Sequence, residues 1–139
     1  MRQTLAALAL ALVAAGCEAQ PKAMTGREFF DQFQKAEKAT DADAVWNLLP
    51  EERRKNLISG AKAETKSTDV GDEKLGKDRL KRQLEGKPSA LLNATFVEEK
   101  SQAEQVILVV EIPGAGKKEI ALVREGGSLR VRWDDKTGI

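Results

Sequence analysis

Few of the side chains that perform enzyme chemistry occur in this chain of 139 residues. Histidine and tyrosine are both absent, so the sequence lacks the commonest general base and metal ligand, and also a phenol that could hold an oxyanion. The single cysteine is Cys17, and its position at the end of an apolar segment points away from nucleophilic catalysis. Carboxylates remain, and they act as acids or bases where their surroundings shift their pKa. The sequence therefore predicts no metal site, no cofactor and no enzyme activity.

The carboxylate best placed for catalysis is Glu111, which shares a predicted strand face with Ile107 and Val109. Desolvation beside these apolar residues would raise the pKa of Glu111, and a perturbed pKa is typical of a functional site. The alternative is a solvated acid at the end of a strand, and we favour this interpretation because strand ends readily carry exposed charge.

A glycine-rich segment follows, Gly114-Ala115-Gly116-Lys117, but it does not fit a phosphate-binding loop. The first glycine of that motif would fall on Glu111, Lys118 replaces the required serine or threonine, and a strand follows where the motif needs a helix. The segment is therefore interpreted as a hairpin loop.

The residues before Cys17 have the features of an export signal. Eleven apolar residues, 5–15, follow Arg2 and lead into Gly16 and Cys17. A positive start, a short apolar middle and a small-residue exit are typical of a secretory signal peptide, and the apolar run is shorter than the roughly 20 residues that span a membrane. The ending Ala14-Ala15-Gly16-Cys17 resembles the lipobox of bacterial lipoproteins, which implies cleavage before Cys17 and acyl chains on that residue.

This resemblance also implies a domain organisation and a location. Residues 1–16 would be the signal peptide, 17–23 a tether and 24–139 a single domain in the bacterial cell envelope. Several acyl chains on one residue attach a protein stably to a membrane, whereas one chain holds it only marginally. Glu18 stands where an aspartate favours inner-membrane retention in lipoproteins, so we expect the outer membrane, facing the periplasm. A secreted form with a free thiol and an uncleaved anchor are the alternatives.

The charge balance argues against nucleic acid as a partner. The chain has 23 lysines and arginines against 22 acids, and removal of residues 1–16 takes away only Arg2, which leaves 22 against 22. Nucleic-acid-binding domains ordinarily carry a basic excess.

Because one cysteine cannot form a disulfide within the chain, a hydrophobic core must stabilise the domain.

Helical signals fill the first half of the mature chain. Thr25 and Glu28 form a capping box that predicts a helix over 26–38 with Phe29 and Phe33 on one face. The segment Thr40-Asp41-Ala42-Asp43 offers a cap for a second helix, and Pro50 ends that helix and can begin a third. The polar segment 63–88 indicates only a short helix over 77–85. Its basic side chains, Lys77, Arg79, Lys81 and Arg82, are interpreted as solvated, without a binding role.

After Pro88 the apolar pattern alternates and predicts four strands, at 90–99, 105–112, 118–125 and 128–134. Gly126-Gly127 predicts a two-residue hairpin that pairs Glu125 with Ser128. With that register, the core face of the last two strands carries Ile120, Leu122, Val131 and Trp133, and the opposite face carries Arg130 and Arg132.

The second strand is apolar on both faces, which predicts a central strand covered on both sides. On the side away from the helices, its apolar residues would join two from the third strand. The predicted partner-binding residues are Ile107, Val109, Ala121 and Val123. Apolar surface of this kind ordinarily needs a cover, so we expect a second copy of the chain or another envelope protein there.

Helices followed by a four-strand antiparallel meander resemble the nuclear-transport-factor-two-like group and the cystatin-like lipoprotein domains. The resemblance rests on Glu28-Phe29-Phe30-Asp31-Gln32-Phe33, on Trp46 to Glu52, and on the spacing from Gly127 to Trp133. It implies an α+β fold with N-terminal helices packed on a curved, cone-like four-stranded antiparallel sheet. Five aromatic residues would then either line a ligand pocket or fill the cone, and filling is favoured; they are Phe29, Phe33, Trp46, Phe96 and Trp133.

Because the resemblance rests on pattern alone, it predicts fold better than function. We expect a lipid-anchored envelope protein with a non-catalytic binding or assembly-supporting domain. The alternatives are a carrier of small ligands or lipids that uses the concave sheet face and, less favoured, a carboxylate-based hydrolase or isomerase.

Overall fold

The structure, a computed structural model, describes residues 23–66, 69–102 and 105–133. Within these ranges, four helices precede a curved four-stranded antiparallel sheet with the order β1-β2-β3-β4, which confirms the predicted α+β class. The helices are α1 (Gly26–Lys38), α2 (Ala42–Asn47), α3 (Glu51–Glu64) and α4 (Asp72–Gly86), and a 3-10 turn covers Ala90–Asn93. The strands are β1 (Thr95–Gln102), β2 (Gln105–Ile112), β3 (Gly116–Glu125) and β4 (Ser128–Val131).

Helix α1 has the predicted bounds because its first turn is capped as the sequence indicates. The Glu28 amide donates to the Thr25 hydroxyl at 3.1 Å, and the Thr25 amide donates to the Glu28 carboxylate at 3.1 Å. A second carboxylate, that of Glu99 in β1, accepts from the Arg27 amide at 3.2 Å. This contact ties the positive end of the helix to the edge of the sheet.

Helices α3 and α4 pack against each other, and α4 is longer than the predicted 77–85. Pro50 is the N-cap of α3, where Glu125 of β3 accepts from the Glu51 amide at 3.3 Å. Gly76 lies inside α4, where a side chain would come within 2.5 Å of the Trp46 ring. The glycine therefore allows a close approach of α4 to α2 rather than marking a break.

The Gly126-Gly127 hairpin sets the predicted register of β3 and β4. Both glycines have positive φ, 56° and 81°, and Glu125 pairs with Ser128. The predicted core residues Ile120, Leu122, Val131 and Trp133 are all at most 5% exposed, and Arg132 is exposed. The side-chain assignment of both faces is thus confirmed.

Three of the predicted strands have wrong bounds, and β1 also extends beyond its predicted end at 99, to Gln102. Residues 90–93 form a 3-10 turn instead of the start of β1, because the Ser89 side chain caps that turn by accepting from the Leu91 amide. Strand β3 begins two residues earlier, at Gly116. Strand β4 ends at Val131 instead of the predicted 134, so Trp133 lies beyond the paired residues of β3 and β4.

Candidate functional site

The sheet has an outer face, the side turned away from the helices. Because side chains alternate along strands, the paired registers place one row of Glu98, Val109 and Glu119 and a second row of Lys100, Ile107 and Ala121 on it. Val123 and Arg130 form a third row on β3 and β4. The structure thus brings the four predicted partner-binding residues, Ile107, Val109, Ala121 and Val123, together on one surface.

An ion pair crosses this outer face. The Lys100 ammonium lies 2.8 Å from a Glu119 carboxylate oxygen and 3.9 Å from one of Glu98. Lys100 stands in the row of Ile107 whereas Glu119 stands in the row of Val109, so the pair passes diagonally over β2. Hydrogen bonding to Glu119, followed by its charge, raises the pKa of Lys100.

The apolar residues beneath this ion pair differ in exposure. Val109 is only 6% exposed although no helix covers it, Ile107 and Val123 are half-buried, and Ala121 is exposed. The carbon stem of a long charged side chain can shield apolar surface while its head stays in water. We therefore attribute the low exposure of Val109 to the side chains of Lys100, Glu98 and Glu119 that surround it.

Val97 belongs to the same region, and sequence reasoning missed it. The register shifts between Phe96 and Glu98, so β1 has a bulge at Val97. Val97 is 38% exposed, the one large hydrophobic side chain classed as exposed among the described residues. Alternation that starts from the core-facing Phe96 assigns Glu98 and the residues after it to the wrong faces, because the bulge adds one residue to the period.

The five aromatic residues proposed to line or fill the cone are packed into the core. Phe29, Phe33, Trp46 and Trp133 are at most 4% exposed, and Phe96 is half-buried. Phe29 stacks on Phe33 with centroids 5.9 Å apart, and Phe33 meets Trp133 edge-on at 6.0 Å. The concave face of the sheet is therefore occupied by the protein's own side chains in the part that the structure describes.

A buried polar pair, Glu37 and Ser89, lies near the C-terminal end of α1. Glu37 and Ser89 are each 4% exposed, and the Ser89 amide and hydroxyl both donate to the Glu37 carboxylate at 2.5 Å. Burial raises the pKa of Glu37, while the two hydrogen bonds from Ser89 lower it in part. Gln34, one turn earlier, donates to the carbonyls of Leu91 and Ala94. These contacts fasten the 3-10 turn to α1, and sequence reasoning missed them because they join residues more than fifty positions apart.

A groove of about 390 Å³ lies between α1 and α2. Its lining is mostly apolar, with Ala36, Ala39, Ala44 and Leu48 as apolar members. Thr40, at the junction of the two helices, has φ 52°, a left-handed conformation that is costly for a β-branched residue. The Thr40 amide donates to the Glu37 carbonyl, and the Asp41 amide donates to the Ala36 carbonyl. These two hydrogen bonds form a Schellman motif, in which the position of Thr40 is usually held by glycine.

The remaining predicted residues have simpler surroundings. Glu111 is exposed on the outer face at the end of β2, in agreement with the favoured interpretation as a solvated acid. In the described ranges, no three acidic or cysteine side chains are grouped as metal ligands. Helices long and apolar enough to cross a membrane do not occur there either. Cys17, with the predicted signal peptide and most of the tether, lies outside the described residues.

No protein-family model, curated protein or solved structure matches the chain. The resemblance to lipoproteins and to nuclear-transport-factor-two-like domains stays a prediction, and inferences about function depend on the residues and their geometry.

Proposed function

We propose that this chain is a lipid-anchored protein of the bacterial cell envelope whose domain binds a partner through the outer face of its sheet and catalyses no reaction. The lipobox-like ending at Cys17 supports the anchor, and we place it in the outer membrane, facing the periplasm. The lack of histidine and tyrosine and the exposure of Glu111 favour binding over catalysis.

The observation that carries this proposal is that β2 is apolar on both faces although, in the described part of the chain, helices cover only one of them. Side chains on the core face are sealed by α1 and its neighbours. On the outer face, Ile107 and Val109 are shielded only by flanking charged side chains, and Val97 and Ala121 are exposed beside them. Such a surface can be uncovered by rotation of a few exposed side chains, whereas uncovering the core would require unfolding.

A second copy of the chain is the partner that fits this face best. The outer face carries Glu98 and Glu119 together with Lys100 and Arg130, so both signs of charge occur on one small surface. In a two-fold interface the same patch meets itself, and a patch with both signs can pair its acids with the bases of the other copy.

Self-association tests the outer-face proposal. In Ala121→Arg an exposed small residue gains length and charge without loss of core packing, and we expect weaker association of the full chain in detergent by sedimentation. Ala63→Arg, at an exposed position of α3, is the matched control and should associate as the wild type does. Val109→Asp should act as Ala121→Arg does and also lower stability. Equal association of all variants, or a monomeric wild type that captures no envelope protein, would contradict the proposal.

The anchor has its own test. Substitution Cys17→Ser should remove the acyl mass and shift the protein out of the detergent phase. Unchanged mass and partitioning would contradict lipidation without affecting the outer-face proposal.

Binding of a small apolar ligand is a second candidate function, and the groove between α1 and α2 favours it. Its apolar lining and its volume of about 390 Å³ fall in the range of small-molecule sites. Substitution Ala44→Phe should fill the groove and abolish uptake of an apolar fluorescent probe, whereas uptake that persists would exclude this groove as the site.

A further inference from the structure

The strongest unassigned charge cluster lies in a cleft between α3 and α4. The cleft encloses about 340 Å³ and is lined by Glu64, Arg79, Arg82, Gln83 and Lys87. Three of these side chains are cations and one is a carboxylate, so the lining has an excess of two positive charges at neutral pH. The sequence interpretation of Arg79 and Arg82 as separate solvated charges missed this convergence, because it depends on how α4 packs on α3.

Two guanidinium groups meet one carboxylate in this cleft. Arg79 Nη1 lies 2.5 Å from Glu64 Oε1, and Arg82 Nη2 lies 3.4 Å from Glu64 Oε2. An oxyanion held between two guanidinium groups is a recurrent arrangement in phosphate recognition. Glu64 is the last residue of α3, where the helix dipole disfavours a negative charge, so this carboxylate depends on the two arginines.

A glycine leaves room for the Arg79 side chain. Gly60 lies in the interior of α3, and a side chain there would overlap the Arg79 guanidinium. Glycine inside a helix is less favourable than alanine by about 1 kcal/mol. The side chain of Arg79, which lies against Gly60, is 30% exposed. Arg53 donates to the Gln83 amide oxygen at 3.0 Å, which orients that amide and adds a fourth cation nearby.

We propose that this cleft binds a phosphate group, with Arg79 and Arg82 as the principal ligands and Glu64 as an internal competitor for the same guanidinium groups. A phosphate offers more acceptor oxygens than a carboxylate and can therefore accept from both guanidinium groups at once. The phosphate would belong either to a phospholipid headgroup or to a soluble phosphate ester. The site is separate from the outer face of the sheet and does not depend on a partner there.

The test uses the full chain in micelles of a maltoside detergent, which contains no phosphate, titrated with inorganic phosphate at constant ionic strength and followed by the NMR signals of the arginine side chains. We expect saturable binding by the wild type. Arg79→Gln should weaken it by about tenfold, because it removes one charge-assisted hydrogen-bonding group. Glu64→Gln should tighten it several-fold, because the competing carboxylate is lost.

A glycine pair supplies the matched control. Gly60→Ala displaces the Arg79 guanidinium without a change in charge, so binding should weaken while the helix signal by circular dichroism is kept. Gly86→Ala, where a side chain meets nothing within 4 Å, should bind as the wild type does. Equal affinities in the wild type, Arg79→Gln and Gly60→Ala, or no saturable binding even in Glu64→Gln, would overturn the proposal.

Two further titrations identify the source of the phosphate. Soluble glycerol phosphate is added to the same phosphate-free micelles in one, and phosphatidylglycerol is incorporated into the micelles in the other. Shifts of the Arg79 and Arg82 signals with the lipid alone assign the site to the membrane surface, and shifts with the soluble ester assign it to a free ligand. Absence of shifts in both titrations would overturn the phosphate-ester assignment.

Discussion

The two faces of β2 are covered by different kinds of side chain. On the core face, Val106, Leu108 and Val110 are at most 1% exposed and lie under helices and aromatic rings. On the outer face, Val109 is 6% exposed under an ion pair whose members, Lys100 and Glu119, are themselves 44% and 58% exposed. A low exposed fraction of an apolar side chain therefore has two different causes in this molecule. One cover is permanent, and the other consists of mobile surface side chains that a partner can displace.

The largest expected effect is the difference in the free energy of unfolding between a substitution on the core face and one on the outer face. Trp133→Ala on the core face should lower the free energy of unfolding by about 3–5 kcal/mol, because it leaves a cavity beside Phe33. Val123→Ala on the outer face should lower it by about 1 kcal/mol or less, since the side chain is only half-buried. Denaturant unfolding of both variants measures the contrast, and equal losses would contradict it.

The next prediction concerns pH and uses the carboxylate with the raised pKa. Burial raises the pKa of Glu37 above 4.5 in the folded state. This shift contributes to the stability of the folded protein, and the contribution is fully present below pH 4.5, where Glu37 is protonated in both the folded and the unfolded state. As the pH rises from 4.5 through the folded pKa, the unfolded chain loses its proton first and this stabilisation is lost. Glu37→Gln should remove this component, so the stability of the variant relative to the wild type should increase between pH 4 and pH 7.

Unfolding curves at several pH values test this, and Glu111→Gln on the exposed outer face is the control. A relative stability of Glu37→Gln that stays constant with pH would show that the buried carboxylate is fully compensated by Ser89.

Much of this architecture follows from local sequence signals. The capping box at Thr25 and Glu28 fixes α1, and the Gly126-Gly127 turn fixes the faces of β3 and β4, because each depends on residues a few positions apart. The start of α4 at Asp72 has no side-chain cap, and Gly76 inside it is explained only by its contact with Trp46. A glycine that permits close packing and a glycine that breaks a helix have the same appearance in a sequence.

The same difference between local signals and contacts of distant residues applies to the candidate sites. Alternation along β2 and β3 places Ile107, Val109, Ala121 and Val123 on one surface, as predicted. The ion pair over Val109, the bulge at Val97 and the meeting of Arg79 with Glu64 all join residues distant in the chain. Composition and period contain no signal for such contacts, so they required the structure.

The smallest expected effect concerns the cover of the outer face. Lys100→Ala should leave the midpoint of denaturant unfolding nearly unchanged, because exposed ion pairs contribute little to stability. The same variant should expose Val109 and Ile107 and increase binding of a hydrophobic dye. A large loss of stability would show that the ion pair is a structural element of the core, whereas unchanged dye binding would show that it covers no apolar surface.

Cross-linking at the centre of the outer face tests the central claim most directly. Ala121→Cys places a thiol on this face, and Ala63→Cys places one on an exposed position of α3 as the control. Under mild oxidation of the full chain in detergent, the account predicts a disulfide-linked dimer for Ala121→Cys and not for Ala63→Cys. Equal cross-linking of the two variants, or none at residue 121 under conditions in which the wild type associates, would contradict it.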